Sequence, residues 1–398
     1  MPRFAAPVLA GLMLAAAPAS LPATAAPVQA QPAPIPFARP AVMALTQKVA
    51  DYQIASLAAG LVPANAAGDT PDPKNWVQGA LFVGLADLAD HSDNPLYTQV
   101  VLQHGAANKW QLGARLYHAD SQVIGQSHLW AARHGAGAEA LAPMRKAFDT
   151  ILAFPPTVDL THRDYSDPRG VGCDQRWCWA DALFMAPASW IELSNQTGDA
   201  RYRDYAVKEF WASTDKLYDP QEHLYYRDSR FFDKRGPNGE KVFWSRGDGW
   251  VFAGLARIIP LLSQGADRGR MEAIFKAMAA RLIAIQKPDG YWSPSLLADP
   301  ATSKPETSGT GFYVYGLAWG LKAGLLDRPT FEPHVRSGWA ALVRAVHPDG
   351  KLGYVQPIGD QPDNVSYDDT QYYGVGAFLL AGTAVADLDL DPKTSSHH

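Results

Sequence analysis

The chain has 398 residues, of which 47% are apolar and 19% are charged, and its formal net charge is −5. This composition excludes an intrinsically disordered protein, and the length is sufficient for one large domain or two medium ones. The sequence has no block of basic residues, so we do not expect it to bind nucleic acid.

The N-terminal segment has the pattern of a secretory signal peptide. Arg3 precedes the apolar run 5–17, and the small residues 23–25 form a suitable cleavage site. We therefore predict a signal peptide over 1–25, a disordered leader rich in Pro, Ala and Gln over 26–40, and a periplasmic or secreted mature protein. No other apolar run approaches the ~20 residues of a transmembrane helix, so we expect no association with a membrane.

Further along the chain, five segments are apolar nearly all round, and each opens on a small residue. They lie at 79–85, 182–187, 249–256, 311–318 and 374–380. Helices without a polar face are buried on every side. Amphipathic helices such as 200–216 and 268–286 lie between them, and Pro-Asp-Gly turns follow at 288–290 and 348–350.

This alternation repeats about every 60 residues and predicts stacked helical hairpins. The predicted fold class is all-α, a single (α/α)6 barrel of six inner and six outer helices over 41–386. We also predict a short hairpin around 223–228 and a disordered tail over 387–398. An open solenoid is the alternative. We favour the closed ring because the apolar helices begin with polar and aromatic clusters, which would converge at one end of a barrel.

The chain contains only two cysteines, Cys173 and Cys178. An oxidising compartment would permit a local disulfide that braces the loop before Asp181. A helical turn between the two cysteines would instead hold their side chains apart, so both states remain open. Two cysteines without nearby histidines do not make a zinc site, and we expect no metal.

The segment around Asp181 is the most informative part of the sequence. Asp181 follows Trp177 and Trp179 and precedes the apolar run 182–187, in what we predict to be the first turn of a helix. Desolvation there would raise the pKa of the carboxyl group, and an acid that keeps its proton near neutral pH is suited to general acid catalysis. The alternative is an aspartate stabilised by the helix dipole, with the tryptophans as core.

Similar clusters of polar and aromatic residues precede or open other apolar helices. They lie at 75–79, 116–126, 243–250 and 367–373. Carboxylates can move protons, an arginine can pair with a uronate carboxylate through two hydrogen bonds, and aromatic rings can stack on a sugar. With 12 Trp and 16 Tyr in the chain, this mixture indicates a pocket for a sugar acid.

These clusters also have a purely structural interpretation. Asp120 can cap a helix, and Gln122 can satisfy backbone groups. Arg246 can form a scaffold ion pair with Asp248 or Asp228. The tryptophans can be ordinary core residues. Both interpretations remain open on the residues alone.

Three segments together resemble the unsaturated uronyl hydrolases of glycoside hydrolase families 88 and 105. They are Tyr-His-Ala-Asp-Ser-Gln at 117–122, Trp-Ala-Asp-Ala-Leu-Phe-Met at 179–185 and Trp-Ser-Arg-Gly-Asp-Gly-Trp-Val at 244–251. Unsaturated rhamnogalacturonyl hydrolase is the closer match, and the resemblance extends from about residue 45 to about residue 385. The family has a six-fold α/α barrel, which agrees with the repeat count.

The resemblance implies a particular chemistry. The family's substrates are products of polysaccharide lyases, which carry a double bond between C4 and C5 of the terminal uronate. The aspartate that matches Asp181 protonates C4, and the one that matches Asp120 positions water and substrate. No metal or organic cofactor takes part. We therefore predict a hydrolase that removes the unsaturated uronate from the non-reducing end, with rhamnogalacturonan oligosaccharides from pectin as the expected substrate.

The resemblance also implies a set of substrate contacts. Arg246 and Trp250 match the segment that holds the unsaturated ring. The full predicted set is Trp76, His118, Gln122, Trp179, Arg227, Arg246 and Trp250. In part of the family a histidine lies in the region 224–228, where this chain has Arg227. The group recognised beyond the scissile bond therefore stays open.

Two other functions remain open from the sequence. An inverting glycosidase on saturated chains would use Asp181 as acid and Asp120 as base, with the carboxyl groups roughly 6.5–9.5 Å apart. A non-catalytic sugar-binding barrel is the second. Under the leading hypothesis the partner is an unsaturated oligosaccharide, and the chain is expected to be a monomer or a homodimer.

Overall fold

The computed structural model describes residues 35–61, 72–162 and 172–390. These residues form thirteen α-helices and one two-stranded hairpin. The helices are α1 Arg39–Ala58, α2 Trp76–His91, α3 Pro95–Ala107, α4 Gly125–Ala131, α5 Ala142–Ala153, α6 Ala182–Met185, α7 Pro187–Thr197, α8 Ala200–Leu217, α9 Ser245–Ile258, α10 Ala266–Ala284, α11 Thr307–Lys322, α12 Arg328–Arg344 and α13 Tyr372–Leu388. Strand β1 Tyr218–Asp219 pairs antiparallel with β2 Leu224–Tyr225, close to the hairpin predicted around 223–228.

The helices form a closed double ring. The inner ring consists of α2, α4, the pair α6 and α7, α9, α11 and α13; each packs on the next, and α13 packs back on α2. Helices α1, α3, α5, α8, α10 and α12 alternate with them along the chain and form the outer layer. The predicted (α/α)6 barrel is confirmed, and the open solenoid was the wrong alternative.

Hydrophobic patterning explains which helices are inside. Nearly every residue of α9 and of α13 is buried, because neither helix has a continuous polar face. In the outer helix α8, Tyr202, Ala206 and Phe210 recur at a spacing of four and form one buried stripe. The inner element formed by α6 and α7 is interrupted before Pro187, whose ring nitrogen has no hydrogen to continue the helix.

The ring closes where α2 crosses α13, and two glycines allow this close approach. A Cβ atom on Gly84 would lie 2.7 Å from the carbonyl oxygen of Gly376. A Cβ atom on Gly376 would collide with the carbonyl of Ala80. Only glycine lets two helix backbones pack this closely, so the seam of the barrel depends on both positions.

The predicted domain boundaries need correction at both ends. Residues 35–40 were assigned to the disordered leader, but Phe37 packs against the core and the carbonyl oxygen of Pro36 accepts a hydrogen bond from Trp339 Nε1 at 2.9 Å. At the other end, Leu390 is buried and its carbonyl accepts a hydrogen bond from Arg336 Nη2 at 2.6 Å. Residues 387–390 therefore belong to the barrel rather than to the tail.

The predicted signal peptide, the leader up to residue 34 and the tail from 391 lie outside the described residues. Within the part of the chain that the structure describes, we find no helix with the length and hydropathy to cross a bilayer.

Candidate active site

A pocket of about 240 Å³ lies at the end of the barrel where the inner helices begin. Trp76 is the first residue of α2, and Asp181 directly precedes α6. The lining residues are Trp76, Asp120, Trp179, Asp181, Met185, Arg227, Ile358, Gly359 and Asp360. Both predicted catalytic aspartates and three of the predicted substrate contacts therefore share one cavity.

A larger depression of about 420 Å³ lies between α8 and the start of α10. Its lining includes Arg203, Lys208 and Arg268 but no aromatic side chain. A sugar pocket needs flat apolar surface next to its polar groups, so we assign the site to the smaller cavity, which has two tryptophans.

A short, braced loop leads to Asp181. Cys173 and Cys178 form a disulfide, which settles the question that the sequence left open. One helical turn at Cys173–Gln175 is followed by Arg176 in an extended conformation, and this turns the chain so that the two cysteines meet. The guanidinium of Arg176 donates two hydrogen bonds to the buried carboxylate of Glu209 on α8, at 2.8 and 3.2 Å.

Asp181 is buried beside a cation. Its side chain is 12% exposed, and its Oδ2 lies 3.5 Å from Arg227 Nε but has no hydrogen-bond partner among the described residues. Burial raises the pKa of Asp181, while the charges of Arg227 and Arg246 oppose the rise. The backbone holds the two residues together, because Ala180 N donates to the carbonyl oxygen of Arg227 at 2.8 Å.

Asp120 is the second carboxyl group of the pocket. It lies in the helical turn Ala119–Ser121, where its backbone N–H donates to His118 Nδ1 at 3.3 Å. Burial, together with the negative charge of Asp181, raises the pKa of Asp120 to about 7, although Arg115 at 3.8 Å opposes the rise. Burial lowers the pKa of His118 to about 3, so this imidazole is neutral and can accept the hydrogen bond.

The two carboxyl groups therefore titrate as a pair. The negative charge of Asp181 makes Asp120 more costly to ionise, and with the pKa of Asp120 at about 7 the pair of Asp120 and Asp181 retains a proton below that pH. The pocket thus contains one neutral acid and one carboxylate, which can donate a proton at one point of a substrate and accept one at another.

A chain of alternating charges runs from Asp181 to the rim of the pocket. Arg227 Nη1 donates to the fully buried Asp228 at 2.8 Å, and Arg230 Nη2 bridges Asp228 and Asp360 at 2.8 and 2.7 Å. Burial alone would raise the pKa of Asp228, but hydrogen bonds from Arg230 and Arg227 lower it to about 2. This permanent carboxylate fixes Arg227 in the pocket wall.

Two predicted substrate contacts support the pocket without lining it. Gln122 is 1% exposed, donates to the carbonyl of Leu116 at 3.2 Å and accepts from Trp190 Nε1 at 2.8 Å. Trp250 is fully buried among aromatic rings, at 6.4 Å from the ring of Trp76. The structural interpretation fits both residues, because internal partners bind both ends of the Gln122 amide and aromatic rings enclose the Trp250 ring. Trp250 Nε1 has no hydrogen-bond partner among the described residues.

Arg246 also departs from its predicted place. It is fully buried, and it forms no ion pair with Asp248 or Asp228. Its Nη atoms donate to the carbonyl oxygens of Gln356 at 3.0 Å and Pro357 at 2.9 Å. Arg246 therefore holds the loop that supplies the far wall of the pocket, and its charge still reaches Asp181.

His118 lies directly behind the pocket. Its ring is 4.7 Å from the ring of Trp179, and its Nδ1 accepts the backbone N–H of Asp120. It contacts two lining residues without being one of them.

Sequence reasoning missed the loop that carries Ile358, Gly359 and Asp360, and it left Met185 as packing. The loop has no hydrophobic period, and it reaches the pocket only because Arg246 holds it, more than 100 residues away in sequence. The stretch Gly-Asp-Gln-Pro at 359–362 was the available signal, and it indicates only a turn.

The comparisons with known proteins agree with this geometry. The family model described as Glycosyl Hydrolase Family 88 matches residues 45–388. The chain is 40% identical over 345 residues to an unsaturated 3S-rhamnoglycuronyl hydrolase of Alteromonas sp. (strain LOR), a match that covers 85% of this chain and 84% of that protein. It is 36% identical over 326 residues to an unsaturated 3S-rhamnoglycuronyl hydrolase of Formosa agariphila, covering 80% and 85%.

Solved structures share the fold over most of the chain. A glycosyl hydrolase family 88 protein from Bacteroides vulgatus is 26% identical, has a TM-score of 0.76 and covers 88% of this chain and 99% of its own. A protein named as a polysaccharide lyase is 27% identical, also with a TM-score of 0.76, and covers 90% and 99%.

Proposed function

The chain belongs to glycosyl hydrolase family 88, and we propose that it removes the 4,5-unsaturated uronate from the non-reducing end of oligosaccharides released by polysaccharide lyases. The observation that carries the proposal is a single pocket in which the carboxyl groups of Asp120 and Asp181 meet the rings of Trp76 and Trp179. Hydration of an unsaturated sugar ring needs an acid, a carboxylate and flat apolar walls, and this pocket offers all three.

In the proposed reaction, Asp181 protonates C4 of the C4–C5 double bond. Positive charge develops at C5 and the ring oxygen, and a water held by Asp120 adds at C5 as a carboxylate accepts its proton. The bond between C5 and the ring oxygen of the resulting hemiketal then breaks, and the hemiacetal left at C1 releases the neighbouring sugar as an alcohol. The proton taken from water replaces the one given to C4.

Arg227 connects substrate binding to the position of the proton. It is the one cationic side chain among the described residues that line the pocket, and in the free protein it favours the charged form of Asp181. A uronate carboxylate in the pocket would pair with this guanidinium. Asp181 would then lose part of its stabilisation as a carboxylate, so the shared proton would move to Asp181, next to C4.

For the sugar that follows the uronate we propose rhamnose. The two curated relatives compared above are named unsaturated 3S-rhamnoglycuronyl hydrolases, and each of these two matches covers at least 80% of this chain. The rhamnogalacturonan expected from sequence is one member of this wider class of rhamnose-containing uronate polymers.

The experiment follows the ultraviolet absorbance of the double bond in a panel of lyase products. The panel contains unsaturated uronate linked to rhamnose, with and without a sulfate ester at rhamnose position 3, and an unsaturated chondroitin disaccharide. We expect absorbance to fall fastest on a rhamnose-linked product. Constant absorbance on every product would contradict the proposal.

Two other outcomes identify different activities. A rise in absorbance on a saturated uronate polymer would indicate a lyase, the name carried by one structural neighbour. Reducing sugar released from saturated oligomers, with no loss of absorbance, would indicate the inverting glycosidase.

We also propose that the mature protein is periplasmic or secreted. The signal-like segment 1–25 supports this, and so does the disulfide between Cys173 and Cys178, since disulfides persist in oxidising compartments. N-terminal sequencing of the protein from periplasmic and medium fractions tests it. A cytoplasmic protein that retains residue 1 would contradict it.

A further inference from the structure

A third acid lies beneath the catalytic pair and outside the pocket. Asp248, in the first turn of α9, is fully buried. Its Oδ1 accepts the backbone N–H of Tyr225 at 2.7 Å, and its Oδ2 has no hydrogen-bond partner among the described residues. A buried carboxyl group without a cation is expensive to ionise. The burial of Asp248 therefore suggests a specific role for this side chain.

The hydrogen bond to Tyr225 connects Asp248 to the pocket. Tyr225 ends β2, and Arg227 follows two residues later in the same segment, beside Asp181. The same segment is held a second time, because the carbonyl of Arg227 accepts the N–H of Ala180 at 2.8 Å. Asp248 and Ala180 thus fix the segment at two points, the N–H of Tyr225 and the carbonyl of Arg227. These two points lie before and after the Cα atom that carries the Arg227 side chain.

We propose that Asp248 is a positioning residue for the catalytic pair: a neutral carboxylic acid that holds the segment 225–227 on α9 and so sets where Arg227 meets Asp181. This role rests on the proposed function, since it assigns Asp248 to the same reaction.

The surroundings of Asp248 favour the neutral form. The groups that face it are the Asp181 carboxyl group before α6, Tyr225 on β2 and Tyr313 on α11. Burial raises the pKa of Asp248 well above its ordinary value, Asp181 adds to the rise, and only the N–H of Tyr225 opposes it. As a neutral acid, Asp248 accepts the N–H without placing a further negative charge near Asp181.

The kinetic test compares Asp248→Asn with Asp248→Ala. The asparagine oxygen can still accept the N–H of Tyr225 and carries no charge, so kcat should stay within ~threefold of wild type and the pH profile should not move. The alanine leaves that N–H without a partner, so kcat should fall by ~tenfold or more. A kcat that is retained in Asp248→Asn and lost in Asp248→Ala would show that Asp248 acts through its hydrogen bond and not through a negative charge.

A matched control is Thr214→Val. The Thr214 hydroxyl contacts the Tyr225 hydroxyl at 3.2 Å, at the other end of the same residue, and valine keeps its shape. This variant should unfold at a lower temperature and keep the kcat and pH profile of wild type. If Asp248→Ala does not fold, Asp248→Leu, which keeps the volume filled, takes its place and should show the same loss of kcat.

Three results would overturn the proposal. One is a pH profile of kcat/KM for Asp248→Asn in which the alkaline limb moves to lower pH. Such a shift would mean that Asp248 is ionised in wild type and raises the pKa of the catalytic pair. Another is an alanine or leucine variant with wild-type kcat. The third comes from a measurement that needs no turnover. From pH 4 to 7 the melting temperature of wild type should fall relative to that of the asparagine variant, because only the unfolded chain ionises Asp248 in this range. A difference in melting temperature that stays constant over this range would contradict the proposal.

The comparison of melting temperatures distinguishes a failure of the proposed function from a failure of the proposal for Asp248. Wild type that leaves every lyase product unchanged contradicts the proposed function, whereas the melting comparison still decides the protonation state of Asp248.

Discussion

At the end of the barrel that holds the pocket, Asp120 and Asp181 have raised pKa values, and the pKa of Asp120 is about 7. At the other end of the same inner helices, Asp387 on α13 meets Lys322, Arg39 and His91 at 2.5, 2.8 and 3.1 Å. Burial alone would raise its pKa, but these partners lower it to about 2.

The difference lies in the supply of cations. Asp387 has three partners from three other helices, and its charge ties α1, α2 and α11 to α13. Asp181 has one arginine at 3.5 Å, and that arginine is shared with the fully buried Asp228. Carboxyl groups of one fold thus stay ionised where cations are plentiful and are easier to protonate where cations are scarce.

The largest expected effect comes from removing the acid at the pocket end. Asp181→Asn should lower kcat by ~10³-fold or more with little change in substrate binding, because asparagine cannot deliver a proton to carbon. Its melting temperature at pH 7 should not fall, since the raised pKa means that the charge opposes folding. Absorbance assays measure kcat, ligand titration measures substrate binding, and thermal unfolding measures the melting temperature. Retention of a tenth of wild-type kcat would refute the assignment.

The pH profile tests whether the pocket carboxyl groups share a proton. With the pKa of Asp120 at about 7, kcat/KM should fall ~tenfold per pH unit on the alkaline side as the pair loses its last proton. In Asp120→Asn this limb should move to lower pH, because Asp181 no longer faces a second carboxylate. Rates from pH 5 to 9 decide this, and an unmoved limb would show that the two groups do not interact.

The opposite end should respond in stability and not in rate. A pKa lowered to about 2 corresponds to ~2.5 kcal/mol, and screening at this partly exposed site reduces it to about 1–2 kcal/mol. Asp387→Asn should lose that amount of unfolding free energy at pH 7 and keep wild-type kcat.

The pH dependence of this loss has a defined sign. The contribution of Asp387 is complete above pH ~4 and disappears as the pH falls through the folded pKa of about 2. The difference between wild type and Asp387→Asn in urea unfolding should therefore vanish in that window. A difference that persists at pH 2 would mean that the charge is not its source.

The smallest effect is expected at the rim of the pocket. Arg115 is 60% exposed and 3.8 Å from Asp120, whose pKa it holds down. Arg115→Met should move the alkaline limb of the rate profile to higher pH by a small fraction of a unit, because solvent screens an exposed charge. In high salt the wild-type limb should meet that of the variant. A larger shift that resists salt would place Arg115 inside the site.

Much of this architecture was predictable because it depends on local patterns. Apolar segments that open on small residues specify the inner helices, and polar clusters at their starts must meet once the ring closes. Asp181 was recognisable because a carboxyl group among tryptophans is costly to bury unless it pairs with a cation or carries a proton.

Other features depend on contacts that no local pattern encodes. The partners of Arg246 are backbone carbonyls of a loop more than 100 residues later, and carbonyl groups carry no sequence signature. Gln122 looked like pocket lining because its amide is polar, yet Trp190 and Leu116 use both ends of it. The ends of the domain were misplaced because few apolar residues, such as Phe37 and Leu390, are enough to continue a core.

The glycine seam between α2 and α13 has a consequence for biogenesis. Its two halves are the second helix and the last helix that the structure describes, so the ring cannot be sealed until the ribosome has released α13. Until then the apolar face of α2 that packs on α13 has no partner. Sealing the barrel is thus a late step of folding, whichever end of the molecule carries the chemistry.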